Sequence, residues 1–263
     1  MCRTPTAGMR ETLEALAAGE LSVAAAEARL AGYATGEAGR FDAAREHRRG
    51  VPEGVLADGK SPAEVAELVC LAVETTGHAL ATRVDQSTAD RVDDRLATDR
   101  PGATATFDER TGVLRARAAE YDPPNLDAVV GVVTAGTADA GPAGEAAAVG
   151  RAMGATIERI DDVGVAGLHR ALDRLDDCRR ADVLVVAAGR EGALPTVLAG
   201  LVDVPVIGLP VASGYGHGGD GEAALAGLLQ SCTVLTTVNV DAGFVAGAQA
   251  GLVARAIDAA RDG

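Results

Sequence analysis

Asp139 and Glu191 are two carboxylates that stand inside glycine-rich loops, at residues 134–139 and 189–193. If two such loops meet, their carboxylates can act as general base and general acid. Asp139 has a second interpretation, because aspartate also caps the helix that follows it. Glu191 has little structural work to do between two glycines. The two residues are therefore candidates for proton transfer, with capping left open for Asp139.

The cysteines and histidines are far apart along the chain. Cys2, Cys70, Cys178 and Cys232 form no CxxC pair, and no HxH or HExxH pattern occurs. This spacing predicts neither a zinc site nor a disulfide framework. By spacing alone each cysteine, Cys232 included, is a reduced and buried thiol. His169, inside a predicted helix, is more typical of a partly buried helix residue than of a catalyst.

Short apolar runs alternate with helical segments in the second half of the chain. The runs are residues 128–133, 156–160, 183–187, 204–209 and 234–240. Runs that are apolar on both faces are typical of parallel strands buried under helices. The helical segments are residues 142–153, 165–175, 193–201, 222–231 and 245–260. The pattern predicts a doubly wound α/β domain with a parallel sheet.

Each of these strands runs into a glycine-rich or polar loop. Ligands of doubly wound sheets bind at the carboxyl ends of the strands, so these loops predict a binding site. Glycines let a ligand approach the backbone, and the helix N-termini beyond them suit phosphate. The glycines are Gly136, Gly189, Gly192, Gly214 and Gly243. The absence of a GxxxxGK[ST] motif argues against a P-loop, and residues 214–219 lack the spacing of a dinucleotide-binding turn.

A break at residues 121–125, which contain two adjacent prolines, divides the chain. Residues 1–122 mix helices with polar strands, which predicts a small N-terminal α+β domain, and residues 123–263 form the predicted α/β domain. A capping box at residues 61–64 begins a helix that runs to about Thr76. The other predicted elements of the first domain are two helices within 11–31, a strand at 78–84, a helix at 87–98 and a hairpin of 103–107 with 113–118.

The net charge of −14 and the single lysine, Lys60, argue against nucleic-acid binding, which needs basic patches. Two explanations of this composition stay open: a high-salt cytoplasm, or the arginine codons of a GC-rich genome. No apolar run reaches the roughly 18–20 residues that span a bilayer. The first residues lack a signal-peptide pattern. We therefore expect a soluble, cytoplasmic protein without a membrane partner.

Several motifs together resemble the LarB family, the pyridinium-3,5-biscarboxylic acid mononucleotide synthases. In the second domain they read VVTAGTADAGPAGEAA, DVGVAGLHR, VVAAGREGALPTVLAGLVDVPVIGLP, SGYG, LLQSC and VNVDAGFVAG. In the first domain the matching stretch is FDAAREHRRGVPEGVLADGKSP, so the resemblance covers about residues 40–255. The second domain is also similar to phosphoribosyl-aminoimidazole carboxylase, whose substrate lies among a Gly-Thr/Ser-Asp loop, a His-Arg pair and an Ala-Gly loop.

The resemblance implies a carboxylase and hydrolase that acts on nicotinic acid adenine dinucleotide and CO2. Carboxylation of the pyridinium ring at C5, with cleavage of the phosphoanhydride to release AMP, gives pyridinium-3,5-biscarboxylic acid mononucleotide for the nickel-pincer nucleotide cofactor. A homo-octamer is implied as well. In the stretch Gln230-Ser231-Cys232, Cys232 is implied as the nucleophile. Glu191 and Asp139 are the implied base at C5 and the group that handles CO2 or water, in either order.

The same resemblance implies which residues hold the ring, ribose and phosphates of the substrate. They are Gly136, Thr137, Ala138, His169, Arg170, Gly189, Arg190, Gly192, Ala193, Ser213, Gly214, Tyr215, Gly216, Asn239 and Asp241. Because the second domain has no lysine, either Mg²⁺ or the arginines Arg170 and Arg190 would offset the phosphate charge. We expect neither a metal site made of protein ligands nor a tightly bound organic cofactor.

Three positions depart from the family pattern. Ala138 stands where the family usually has serine, Arg190 where it often has methionine, and Ala242 where it has asparagine. Loss of the serine hydroxyl removes a hydrogen-bond donor worth about 1 kcal/mol. Such a change affects how the substrate is held more than the class of reaction.

Two other functions stay open at this point. One is a phosphoribosyl-aminoimidazole carboxylase or mutase of purine synthesis that uses the same sheet. The other is a non-catalytic nucleotide-binding protein, which Ala138 favours and which Cys232, Glu191 and Asp139 oppose. The charged residues 42–49 and Lys60 of the first domain either reach a neighbouring subunit's site or form a solvated hairpin.

Overall fold

The computed structural model describes residues 9–261 and 263, so Cys2 lies outside the described part of the chain. The chain forms two compact units, Met1–Asp122 and Pro123–Gly263. The predicted fold class, a small α+β unit followed by a parallel α/β unit, is confirmed.

The first unit contains a four-stranded sheet in the order β3-β4-β6-β5 and a two-stranded hairpin, β1-β2. Its strands are β1 Ala34–Gly36, β2 Gly39–Phe41, β3 Gly54–Leu56, β4 His78–Thr82, β5 Thr104–Asp108 and β6 Val113–Arg117. Its helices are α1 Met9–Ala17, α2 Val23–Ala31, α3 Arg45–Arg49, α4 Pro62–Thr76 and α5 Gln86–Asp99. The sequence pattern does not predict β1, β2, α3 or β3, because elements of three to five residues show no clear hydrophobic period.

Helix α4 shows how local sequence determines an element of this unit. The Ser61 hydroxyl accepts a hydrogen bond from the Glu64 N–H, and the Glu64 carboxylate accepts one from the Ser61 N–H. This is the predicted capping box, with Pro62 in the first turn. Gly77 ends the helix in the left-handed conformation, with φ 81°.

The second unit is built on a five-stranded parallel sheet in the order β11-β10-β9-β7-β8. Its strands are β7 Val129–Thr134, β8 Thr156–Ile160, β9 Val183–Ala188, β10 Val206–Pro210 and β11 Thr236–Thr237. Its helices are α6 Ala140–Ala152, α7 Leu168–Asp173, α8 Leu175–Arg180, α9 Ala193–Ala199, α10 Glu222–Leu229 and α11 Gly243–Arg261. Two apolar cores, one on each face of the sheet, hold the helices against it.

Two predicted elements of the second unit are wrong in length. The strand predicted over residues 234–240 is reduced to β11, which pairs only with β10. As an edge strand it has no neighbour on its other side, and Val234 is 96% exposed. The helix predicted over 165–175 is a 3-10 turn followed by α7, and α8 begins after a non-helical Arg174 at φ −108° and ψ 12°.

Helix α11 packs closely on α6, the helix that follows the Asp139 loop. A Cβ atom at Gly247 would lie 2.4 Å from the Ala146 carbonyl oxygen, so only glycine allows this approach. At the start of α11 the Phe244 N–H donates to the Glu145 Oε2 atom over 3.3 Å. Glu145 is buried and thereby supplies an acceptor for the otherwise unpaired first turn of α11.

Across residues 9–261 and 263, no helix combines the length and the apolar character that crossing a membrane requires.

Candidate active site

Asp139 lies at the carboxyl end of β7, in a 3-10 turn between that strand and α6. Its side chain is 97% covered, with 3% exposed. The Gly136 N–H donates to Asp139 Oδ2 over 2.8 Å, and the Ser213 hydroxyl donates to Asp139 Oδ1 over 3.1 Å. The carboxylate therefore joins the β7 loop to the loop after β10.

Asp139 does not cap α6 as its N-cap residue, but its side chain caps the 3-10 turn of residues 137–139 that leads into that helix. Asp139 occupies the position before α6, but its side chain makes no capping hydrogen bond to that helix. The side chain instead turns back to the Gly136 N–H, three residues earlier. Both carboxylate oxygens therefore accept hydrogen bonds from loops at the edge of the sheet.

Burial decides the titration of Asp139. Removal from water raises the pKa of this carboxyl group above its usual 3.8, because the charged form loses its hydration. Hydrogen bonds from the Gly136 N–H, the Ser213 hydroxyl and two further backbone groups lower the pKa and offset part of that effect. A buried carboxyl group with a raised pKa is suited to accepting and returning a proton.

The loop after β9 comes very close to the loop after β10. A Cβ atom at Gly189 would lie 2.0 Å from the Ser213 hydroxyl oxygen and 3.2 Å from the Val211 carbonyl oxygen. Any larger residue at 189 would displace Ser213 from Asp139. The sequence-predicted glycine at this position is therefore required by close packing, which also holds the two loops together.

Several residues of the loops around Asp139 are exposed to solvent. Thr137, Ala138 and Ser213 are exposed, and Gly136, Gly189 and Ala193 are half-buried. The structure therefore brings most of the sequence-predicted binding residues of the three loops to one edge of the sheet, as their position after β7, β9 and β10 predicts.

Glu191 lies in the same loop as Gly189, but its environment differs from that of Asp139. The side chain is exposed, and its backbone carbonyl packs against α10, where a Cβ atom at Gly227 would lie 2.5 Å away. Gly192 adopts φ 65°, which lets the chain turn from Glu191 into α9. One of the two candidate carboxylates is therefore buried and the other is open to water.

Arg190 and Tyr215 form a pair between the loops after β9 and β10. The Arg190 guanidinium carbon lies 4.0 Å from the centroid of the Tyr215 ring, and Arg190 Nη2 donates to the Tyr215 hydroxyl over 2.8 Å. Arg190 has φ 51°, a left-handed conformation that is uncommon outside glycine. Gly214 and Gly216 flank Tyr215, and Gly216 has φ 80°.

Asp241 and Asn239, both predicted to bind substrate, have backbone partners in the structure. Asp241 Oδ1 accepts a hydrogen bond from the Ala212 N–H over 3.0 Å, which ties the segment after β11 to the loop after β10. Asn239 Oδ1 accepts from the N–H of the next residue over 2.9 Å. These contacts shape the edge of the site.

His169 and Arg170 begin α7, beside the loop after β8. The expectation that His169 is partly buried is wrong, because it is exposed in the first turn of a short helix. Arg170 Nη1 pairs with Asp162 Oδ2 over 2.9 Å. The Thr134 hydroxyl accepts from the Asp162 N–H over 3.1 Å, so this loop is fixed to the end of β7. Sequence reasoning missed Thr134, whose only signal is a polar residue at the end of an apolar run.

Cys232 is exposed, and the sequence-based expectation of a buried thiol is wrong for this residue. It lies in the turn between α10 and β11, before the strand begins. The adjacent Ser231 shares a hydrogen bond with the Thr196 hydroxyl over 3.0 Å, and Thr233 donates to the Thr196 carbonyl over 3.4 Å. Cys232 is thus held beside α9 and on the amino-end side of β11, whereas Asp139 follows the carboxyl end of β7.

Cys70 and Cys178 are buried, as expected from their spacing. Burial raises the pKa of the Cys70 thiol to about 11, and it also raises the pKa of Cys178. Both thiols therefore stay protonated and protected in the folded protein.

Native alkylation should separate these cysteines. We expect iodoacetamide at pH 8 to modify Cys232 in the folded protein, and Cys70 and Cys178 only after denaturation, because the thiolate is the reacting form and burial suppresses it. Peptide mass mapping over time measures the three rates. Modification of Cys70 as fast as Cys232 in native protein would contradict the burial described above.

The charged stretch at residues 42–49 is paired within the first unit. Arg48 forms a two-bond ion pair with Asp42, at 3.0 and 2.7 Å, and Arg45 pairs with Glu53 at 2.7 Å. Glu46 lies 3.0 Å from the ring nitrogen of His78. These contacts favour the structural interpretation of the stretch over a phosphate-binding role.

Comparison with known proteins agrees with this geometry. Residues 129–263 match the model of AIR carboxylase, and residues 33–117 match that of the LarB/PurE-like N-terminal domain. The chain belongs to the LarB family. An uncharacterized protein of Methanocaldococcus jannaschii is 35% identical over 220 residues, which cover 82% of this chain and 84% of that protein. LarB membership with an AIR carboxylase domain indicates carboxylase chemistry for the second unit.

Proposed function

We propose that this LarB protein carboxylates the pyridinium ring of nicotinic acid adenine dinucleotide at C5 and cleaves its phosphoanhydride to release AMP. The product is pyridinium-3,5-biscarboxylic acid mononucleotide, a precursor of the nickel-pincer nucleotide cofactor. The observation that supports this proposal most strongly is the combination of a buried carboxylate, Asp139, with an exposed thiol, Cys232, in a carboxylase fold.

The role of the Cys232 thiol in this reaction is to make the C5 atom of the ring nucleophilic. A pyridinium ring is electron-poor, so its C5 atom does not attack CO2. Addition of the Cys232 thiolate to a ring carbon beside C5 moves an electron pair onto the ring nitrogen and gives an enamine-like dihydropyridine. Its C5 atom then forms the new bond to CO2. A base removes the C5 proton, the C–S bond breaks, and the thiolate leaves as the ring regains its aromaticity.

Asp139 is the better candidate for the base that removes the C5 proton. Its raised pKa favours uptake of a proton, its burial limits contact with water, and fixed donors hold its orientation. Glu191 is exposed in the neighbouring loop, where it suits activation of the water that cleaves the phosphoanhydride. This assignment gives each carboxylate one role.

Within one chain, Cys232 and Asp139 lie toward opposite ends of the strands. Strand β10 alone separates these ends by roughly 15 Å, at about 3.3 Å for each of its residues. We therefore infer that the thiol of one copy acts at the Asp139 site of another, in the homo-octamer that the family resemblance implies. Leu229 and Val234, on either side of Cys232, are 65% and 96% exposed, which suits a surface that a second copy covers.

The charge of the phosphates needs a cation. In the described residues, no group of three His, Cys, Asp or Glu side chains is arranged to hold a metal ion. Mg²⁺ typically uses one or two carboxylates together with substrate phosphates, so the exposed Glu191 fits such a partner when the dinucleotide is bound. Arg190 and Arg170 are the protein cations at this edge of the sheet.

Product analysis by mass spectrometry tests the proposal. Purified protein is incubated with the dinucleotide, ¹³C-bicarbonate and Mg²⁺ at high salt, beside Cys232→Ala and the matched control Cys178→Ala. We expect AMP and a mononucleotide carrying one ¹³C-carboxylate from wild type and from the control, and no carboxylated product from Cys232→Ala.

The match to AIR carboxylase supports one alternative, carboxylation of aminoimidazole ribonucleotide in purine synthesis. The same assay with that substrate decides between them. Turnover of aminoimidazole ribonucleotide without turnover of the dinucleotide would replace the proposal. Binding of the dinucleotide with no reaction of either substrate would leave a non-catalytic nucleotide-binding protein.

A further inference from the structure

The Arg190–Tyr215 pair has an open aromatic face beside the buried carboxylate. The Tyr215 ring is 74% exposed although the Arg190 guanidinium lies 4.0 Å from its centroid. Arg190 covers one face of the ring, and the exposed fraction leaves the other face open to solvent.

The pair is continuous with the Asp139 site. Arg190 follows Gly189, whose backbone touches Ser213, and Ser213 donates to Asp139 over 3.1 Å. Tyr215 is two residues beyond Ser213 in the same loop. A ligand that reaches Asp139 with one end can therefore reach Tyr215 with the other.

Resting on the proposed function, we infer that Tyr215 and Arg190 bind the adenylate half of the dinucleotide. Adenine stacks on the open face of Tyr215, because every nucleobase has a flat face that stacks on aromatic side chains. Arg190 donates to the phosphate of the adenylate half. A guanidinium has five N–H donors, and Tyr215 is the one acceptor found for Arg190 among the described residues.

Charge decides which half of the dinucleotide lies here. The pyridinium ring is cationic and would face the Arg190 guanidinium at unfavourable like-charge distance. Adenine is neutral and the phosphates are anionic, so both are compatible with the pair. The hydrogen bond from Arg190 Nη2 to the Tyr215 hydroxyl holds the guanidinium against the ring.

Arg190 is a specificity-determining residue on this account. The family often has methionine here, which offers neither charge nor donors. Arginine in place of methionine adds a side chain that can donate hydrogen bonds to phosphate. Its guanidinium packs on the ring of Tyr215.

Calorimetric titration with AMP and, separately, with nicotinic acid mononucleotide tests the inference without requiring turnover. We expect Tyr215→Ala to weaken AMP binding about 10-fold or more, the size of a lost stacking contact. Arg190→Met should weaken it to a similar degree. Tyr215→Phe keeps the ring and should lose only a small part of the affinity. Binding of the mononucleotide, which has no adenine, should stay unchanged in all three.

A matched control exists in the first unit. Arg40 lies 5.1 Å from the centroid of the Tyr33 ring, so Tyr33→Ala removes a similar pair from the other unit and should leave AMP binding unchanged. The inference is overturned if wild type binds no AMP, if Tyr215→Ala binds AMP as wild type does, or if both nucleotides weaken equally. A change in oligomer size on light scattering with unchanged AMP affinity would also overturn it, since Tyr215 would then belong to a contact between copies.

Failure of the proposed function gives a different result. If the dinucleotide is not carboxylated but AMP binding still depends on Tyr215 and Arg190, the nucleotide subsite stands and the reaction is wrong. If carboxylation occurs and the AMP affinity is unchanged in the Tyr215 and Arg190 variants, the reaction is supported and the proposed subsite is wrong.

Discussion

Cys232→Ala should abolish carboxylation of the pyridinium ring while the protein stays folded. Loss of the nucleophile in a covalent mechanism lowers turnover on the order of 10⁴-fold or more. The thiol is exposed, so its removal leaves no cavity in the core. Carboxylated product is measured with ¹³C-bicarbonate, and circular dichroism and thermal unfolding check the fold. Residual carboxylation within 10-fold of wild type would rule out the thiol adduct.

Mixed oligomers test whether the thiol acts on a site in another copy. Cys232→Ala and Asp139→Asn are co-expressed with two different affinity tags, and oligomers carrying both tags are isolated. If each site combines two copies, random assembly pairs an intact thiol with an intact carboxylate in about a quarter of the sites, which restores about a quarter of the activity. No recovery above the single variants would place both residues in one chain's site.

Asp139→Asn should reduce carboxylation by about 10²–10⁴-fold, the usual contribution of a positioned base. The amide cannot take up the C5 proton. Its NH2 group also faces the Gly136 N–H or the Ser213 hydroxyl, which costs about 1–3 kcal/mol of unfolding free energy when one donor loses its acceptor. Single-turnover rates and chemical denaturation measure the two effects.

The pH dependence of stability gives a separate readout of Asp139. Because the folded-state pKa is raised, this group stabilises the fold at low pH, where it is protonated in both states. That contribution is lost as the pH rises above the usual value of 3.8 and through the folded-state pKa. We expect the wild-type unfolding free energy to fall in that interval relative to Asp139→Asn.

Asp176→Asn is the control for both readouts, since Asp176 is an exposed carboxylate on α8 of the same unit. It should match wild type in carboxylation and in the pH dependence of unfolding. An Asp139→Asn curve that runs parallel to wild type across the interval would contradict the raised pKa.

The long elements of the fold could be predicted from local sequence. The capping box at Ser61 and Glu64 begins α4 because its hydrogen bonds join residues three apart. The buried strands β7 and β9 read as apolar runs because both of their faces are covered. The edge strand β8 carries Glu158 and Arg159 and is buried only at Ile160, so it is not apolar on both faces as predicted. Strand β11 could not be predicted in length, since an edge strand pairs only where its neighbour offers free backbone groups.

The sequence by itself determined the family, the fold class and the edge of the sheet where the loops with Asp139 and Glu191 meet, because parallel strands place all their carboxyl ends on one side. Only the tertiary structure decided the state of each side chain. It buried Asp139 between donors from two loops and left Glu191 in water. The structure also leaves Cys232 exposed, at the amino end of β11 and so at the other end of the sheet from Asp139. Thr196 holds the turn that contains Cys232 through a hydrogen bond to Ser231. Such contacts join residues tens of positions apart, and no local pattern in the chain records them.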